Sequence, residues 1–190
     1  MKIFFSTSPR AKQDYSQEIE RIYSYLDKNG LQLTDEIIRN VTEDEFYSWN
    51  DAQRKKYYVN TMHAIKKADI CIFEATYPSL GVGHLINQAL INGKPVITMY
   101  TNGKKPFMLD SADIDKITLV EYDKTNLETV LSSALEYAKE DSDVRFDFLI
   151  SAAIGRYLNW ISRVKKIPRS VFLRGMIEER MKADAEYGEV

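Results

Sequence analysis

The apolar positions of the first 140 residues switch repeatedly between two patterns. Lys2–Ser6 is a short β-rich run. Ile19, Ile22, Tyr23 and Leu26 then follow the i, i+3, i+4, i+7 spacing of an amphipathic helix, which Asn29-Gly30 closes. Leu31–Thr34 reads as a weak second strand and Asp51–Lys67 as a helix. Ile70-Cys71-Ile72-Phe73 is a continuous apolar run, the mark of a strand buried on both faces. Val82–Asn92 reads as a helix closed by Gly93, followed by strands at Val96–Tyr100 and Ile117–Val120. Leu127, Val130, Leu131, Ala134, Leu135 and Ala138 form the stripe of a further helix. Strands separated by helices in this order predict an α/β fold with a mostly parallel sheet covered on both sides.

The pattern changes near residue 143. Val144–Ser151 alternates, with Phe146, Phe148 and Ile150 on one face. Ile154, Tyr157, Leu158 and Ile161 mark one helix, and Leu173, Met176, Ile177 and Met181 a second. Between them Lys165–Ser170 makes a turn, with Ser170 as the expected N-cap. Charge changes sign at the same place. Residues 1–143 hold 17 Lys and Arg against 22 Asp and Glu, whereas residues 144–190 hold 9 against 6. Two units are therefore expected, 1–141 and 144–187.

Composition removes several classes of function. Of 190 residues, 44% are hydrophobic and 28% charged, which describes a globular chain rather than a disordered or collagenous one. No apolar run reaches membrane-spanning length. The opening Met1–Ser6 is too short for a secretory core, and one cysteine, Cys71, fits a reducing cytoplasm. Two histidines and one cysteine give no zinc-type ligand set, and neither a metal nor a cofactor is expected.

Ligands of open parallel sheets bind beyond the carboxyl ends of the strands. The most informative end is Glu74-Ala75-Thr76-Tyr77-Pro78-Ser79-Leu80-Gly81-Val82-Gly83, a strand, a loop and a helix start. Its glycines admit close backbone approach, and the helix start offers donors to an anion. A plain strand-to-helix turn has the same composition. The third glycine of a dinucleotide fingerprint is Ile86 here, and no Walker-type ending follows. Ser6-Thr7-Ser8-Pro9-Arg10 adds hydroxyls and a guanidinium able to clamp a phosphate, or else a solvated arginine beside a capping serine.

The stretch Ala68–Gly83, together with Gly93-Lys94-Pro95-Val96 and Ile3–Arg10, resembles the nucleoside 2-deoxyribosyltransferases. Within them it is similar to the 2′-deoxynucleoside 5′-phosphate N-hydrolases. The resemblance covers roughly residues 1–140 and implies a flavodoxin-like doubly wound sheet, a homodimer, and a nucleoside monophosphate as ligand. It places phosphate contacts on Ser8, Arg10, Ser79 and Gly81, with Gly83 beside them. The family's nucleophilic glutamate corresponds to Leu85 and its second carboxylate to Thr61. A strand tyrosine corresponds to Phe4, and a loop glycine to Thr7. Leucine and threonine can neither form a glycosyl-carboxylate intermediate nor protonate a leaving base. The expected site holds a nucleotide without cutting it. The opposing expectation is an active N-hydrolase or deoxyribosyltransferase using another carboxylate, with Glu74 as fallback and Asp35-Glu36 as a further source.

Residues 144–187 resemble a ribbon-helix-helix unit, a β-α-α fold in which two chains pair their strands and read DNA. That resemblance implies DNA contacts from Arg145 and Asp147 on the ribbon and from Arg169 and Ser170 at the second helix. A plain dimerisation element accounts for the same pattern. Three readings follow: a ligand-responsive DNA-binding regulator, an enzyme, or a nucleotide-binding scaffold without DNA contacts.

Overall fold

The computed structural model describes residues 1–111, 114, 116–140, 148–165 and 167–184. The chain divides into two compact units, Met1–Arg145 and Phe146–Val190.

The first unit runs β1 (Lys2–Thr7), α1 (Pro9–Asp14), α2 (Ser16–Lys28), β2 (Gln32–Leu33), α3 (Ile37–Asn40), α4 (Glu43–Ser48) and α5 (Asp51–Lys67). It continues with β3 (Ile70–Glu74), α6 (Leu80–Ile91), β4 (Val96–Tyr100), α7 (Phe107–Asp110), β5 (Ile117–Glu121) and α8 (Leu127–Glu140). All four strand pairings are parallel, and the order is β2-β1-β3-β4-β5. This is the flavodoxin-like doubly wound order, whose direction reverses between β1 and β3. At that switch point Thr7 pairs with Glu74, so the two loops that follow leave side by side.

Two apolar layers enclose the sheet. Ile3, Phe5, Ile72, Ile97 and Met99 pack with α2 and α8 on one face. Phe4, Cys71, Phe73 and Val96 pack with α5 and α6 on the other. Burial on both faces explains why Ile70–Phe73 of β3 is an unbroken apolar run, and why β4, with Thr98 buried in its middle, does not alternate either.

The structure adjusts several sequence expectations. Helix α6 starts at Leu80 rather than Val82, because Ser79 supplies the cap and accepts from the Val82 amide at 3.3 Å. Helices α3, α4 and α7, of four to six residues, lie in stretches where no helix was expected.

The second unit contains α9 (Ala152–Trp160), which runs on as a π-helical turn (Ile161–Lys165), and α10 (Arg169–Ala183). Ser151 caps α9, accepting from the Ile154 amide at 3.3 Å. Ser170 does not cap α10. That helix begins at Arg169 with Pro168 at the cap position, since proline's fixed φ suits a helix start, and Ser170 lies inside the first turn. Arg145 and Asp147, and most of the expected strand, lie outside the described residues. Residues 148–150 form no strand within the single chain. Leu158 and Ile161 are buried, whereas Met176, Ile177 and Met181 stand exposed on α10.

Candidate functional site

A cleft of about 260 Å³ opens at the switch point, where β1, α4, α5 and α6 converge. One end is polar. Ser8 caps α1, its Oγ accepting from the Ala11 amide at 3.0 Å, and Ser79 caps α6 in the same way. Each hydroxyl keeps its own hydrogen for a ligand. Gly81 lines this end, and a Cβ added there meets only Ser79 Oγ, at 3.7 Å. The amides of Val82 and Gly83 already bond Ser79, leaving Leu80 and Gly81 to supply the helix-start donors.

The other end is aromatic, with Phe46, Tyr47, Tyr57, Tyr58 and His84 in its wall. Phe46 packs edge-on against Tyr57 at 5.3 Å and lies 4.7 Å from Trp49. Tyr58 and His84 face each other at 5.9 Å. Burial pushes the Tyr57 hydroxyl up to about 12, so it stays a neutral donor. The pattern reading missed this wall, although Thr42 followed three residues later by Glu45 is a capping signature for α4.

The expected site residues divide by position. Ser8, Ser79, Gly81, Thr7 and Leu85 share the cleft. Gly83 does not; it faces a separate cavity of about 640 Å³ beside Tyr77 and Phe107, and its amide is bonded to the Ser79 carbonyl. Phe4 is buried in the core against Phe73, at 5.8 Å, because β1 points it inward beneath the cleft. Thr61 is also buried and outside the wall. Its Oγ1 has Tyr57 and Asp35 as polar neighbours. Arg10 stands at the rim rather than in the wall, paired with Glu43 at 3.4 Å and 5.3 Å from the centroid of the Tyr47 ring.

Among the described residues, no carboxylate lines the cleft. Glu74 lies behind Thr7, fully buried, and its oxygens accept from Thr7 (3.2 Å), the Thr76 amide (3.1 Å) and Tyr122 (3.3 Å). Burial raises its pKa against those hydrogen bonds. All its partners are internal, which fits a strut joining β1, β3 and the start of the β5–α8 connection. Asp35, just beyond β2, is also raised by burial, against a 2.7 Å bond from the Ile37 amide.

The chain is similar to several known proteins. A protein of Syntrophotalea carbinolica, provisionally named 2′-deoxynucleoside 5′-phosphate N-hydrolase 1, is 31% identical over 124 residues, covering 65% of this chain and 85% of its own length. The chain belongs to that family. A 5-hydroxymethyl-dUMP N-hydrolase of Rattus norvegicus is 24% identical over 147 residues, covering 70% of this chain and 84% of its own. A CMP N-glycosidase of Clostridium botulinum has a solved structure with a TM-score of 0.49 and 19% identity, covering 72% of this chain and 99% of that one. No family model matches the sequence.

In this N-hydrolase family member, Leu85 stands in the cleft where the resemblance places the nucleophile. Its side chain is 8% exposed and offers only methyl groups. The fold puts a side chain there because position 85 lies in the second turn of α6, on the flank facing α5.

Proposed function

We propose that the protein binds a nucleoside monophosphate at the switch-point cleft without hydrolysing it. The observation that carries this reading is the composition of the wall. Serine hydroxyls and helix-start amides suit a phosphate, the rings of Phe46, Tyr47, Tyr57 and Tyr58 suit a base, and among the described residues no acidic side chain lines the wall to attack C1′ or protonate the leaving base. Calorimetric titration with the 2′-deoxynucleoside 5′-monophosphates, paired with chromatography for free base, tests both halves.

A second reading is N-glycosidic cleavage. The relatives favour it, since each is named an N-hydrolase. In this chain it requires a carboxylate brought in from behind the wall, and Asp35, the neighbour of Thr61, is the first candidate. Base release that disappears in Asp35→Asn supports this alternative.

The second unit supports a further part of the proposal, a ribbon-helix-helix-like dimer that contacts DNA and makes the protein a ligand-responsive regulator. Leu173, Met176, Ile177 and Met181 form with Phe148 an apolar groove of about 410 Å³ within that unit. Among the described residues, Met176, Ile177 and Met181 leave apolar surface exposed on α10, which supports a partner for this unit. Arg169 opens α10 beside the unpaired amides of the helix start, which supports a phosphate contact there.

A further inference from the structure

The Arg10 guanidinium has partners within the chain itself. Its Nε lies 3.4 Å from Glu43 Oε1, its plane stands over the Tyr47 ring at 5.3 Å, and the Tyr77 hydroxyl is a third neighbour. Glu43 and Tyr47 are four residues apart on α4, so one face of that short helix supplies both the carboxylate and the ring. Tyr47 is also part of the cleft wall, and Tyr77 belongs to the loop that leads to Ser79.

A carboxylate and a phosphate are both taken by guanidinium N–H donors, and Glu43 holds the Nε edge, so a phosphate that claims that edge displaces Glu43.

We infer that Glu43 is a built-in competitor for the ligand's phosphate, holding Arg10 until a phosphate at the Ser8–Ser79 end takes it over. This rests on the nucleotide-binding reading. On exchange the Glu43 carboxylate returns to water, which its partial exposure allows, and α4 loses one of its two ties to Arg10. The Tyr47 contact remains. Occupancy of the phosphate end is thereby reported to the helix that carries the aromatic wall.

The test is calorimetric titration of wild type, Glu43→Gln, Arg10→Ala and the double variant with each common 2′-deoxynucleoside 5′-monophosphate and its parent nucleoside. Glu43→Ala serves as a second variant should the glutamine fail to fold. Glu43→Gln tightens the monophosphates by about two- to fivefold, the range over which partly exposed ion pairs act, and leaves nucleosides unchanged. In the Arg10→Ala background the same change has no effect, since the competitor has nothing to compete for. Unchanged or weaker monophosphate binding in Glu43→Gln overturns the inference while leaving the nucleotide-binding reading intact, as does an equal gain in the Arg10→Ala background. Absence of monophosphate binding in every variant overturns the nucleotide-binding reading, and the competitor role with it.

Discussion

Thr7 donates its hydroxyl toward Glu74, 3.1 Å from the carbonyl and 3.2 Å from the carboxylate, across the pair of strands at which the sheet reverses direction. The contact joins a residue of the cleft wall to a fully buried acid behind it. Burial raises the Glu74 pKa above its ordinary 4.5, so the folded state holds the proton more tightly than the unfolded chain. That contribution is fully present below the ordinary value and is lost as pH rises through the raised one. Glu74→Gln should therefore flatten the fall in stability above pH about 4.5. Melting temperatures of both proteins at acid and neutral pH check this; a difference that does not change with pH contradicts it.

Ser79 serves the fold and the cleft at once. Removing its cap with Ser79→Ala should cost about 1 kcal/mol of stability. It should also weaken any monophosphate ligand while sparing nucleosides. Denaturant unfolding and ligand titration on the same variant separate the two effects.

Ligand binding should be visible as stabilisation. A monophosphate at one hundred times its dissociation constant adds about 2.7 kcal/mol, or on the order of 5–10 °C in melting temperature for a chain of this size. Thermal melts across a nucleotide panel measure it, and an equal response to nucleosides contradicts a phosphate-led site.

The second unit makes a separate prediction. Ile177→Asp puts a charge into the uncovered face of α10 and should shift sedimentation of the full chain toward smaller species. Arg169→Ala should weaken DNA binding to all sequences about equally and flatten its salt dependence. A wild-type chain without DNA affinity at low salt removes the regulatory part of the proposal.

The sheet was legible because its strands are apolar runs bounded by turn residues, and burial on both faces leaves no other use for Ile70–Phe73. The cleft was legible only in part. Ser8, Ser79 and Gly81 sit at strand ends, where loop composition speaks directly. Its aromatic wall comes from α4, whose six residues are too few to show a helical period, and from Tyr57 and Tyr58, adjacent residues of the long helix α5 that both reach the cleft. The start of α6 was misread because two glycines disfavour helix locally, while the Ser79 cap decides the matter. Arg10 was expected on the phosphate; that its first partner is Glu43 is a tertiary fact with no local signature.

Introducing acids at positions 85 and 61 tests whether their lack is what would leave the glycosidic bond intact. Leu85→Glu places a carboxylate in the cleft wall, and Thr61→Asp a second one behind it beside Asp35. The double variant should gain base release that Leu85→Glu with wild-type Thr61 shows weakly or not at all.

The central claim is that this cleft holds a nucleotide and leaves its glycosidic bond intact. The most direct measurement is prolonged incubation of the wild-type chain with each 2′-deoxynucleoside 5′-monophosphate, at concentrations calorimetry finds saturating, followed by chromatography for free base. The account predicts saturable binding of at least one monophosphate and no base above the enzyme-free control. Catalytic base release by the wild-type protein, proportional to its concentration, contradicts it.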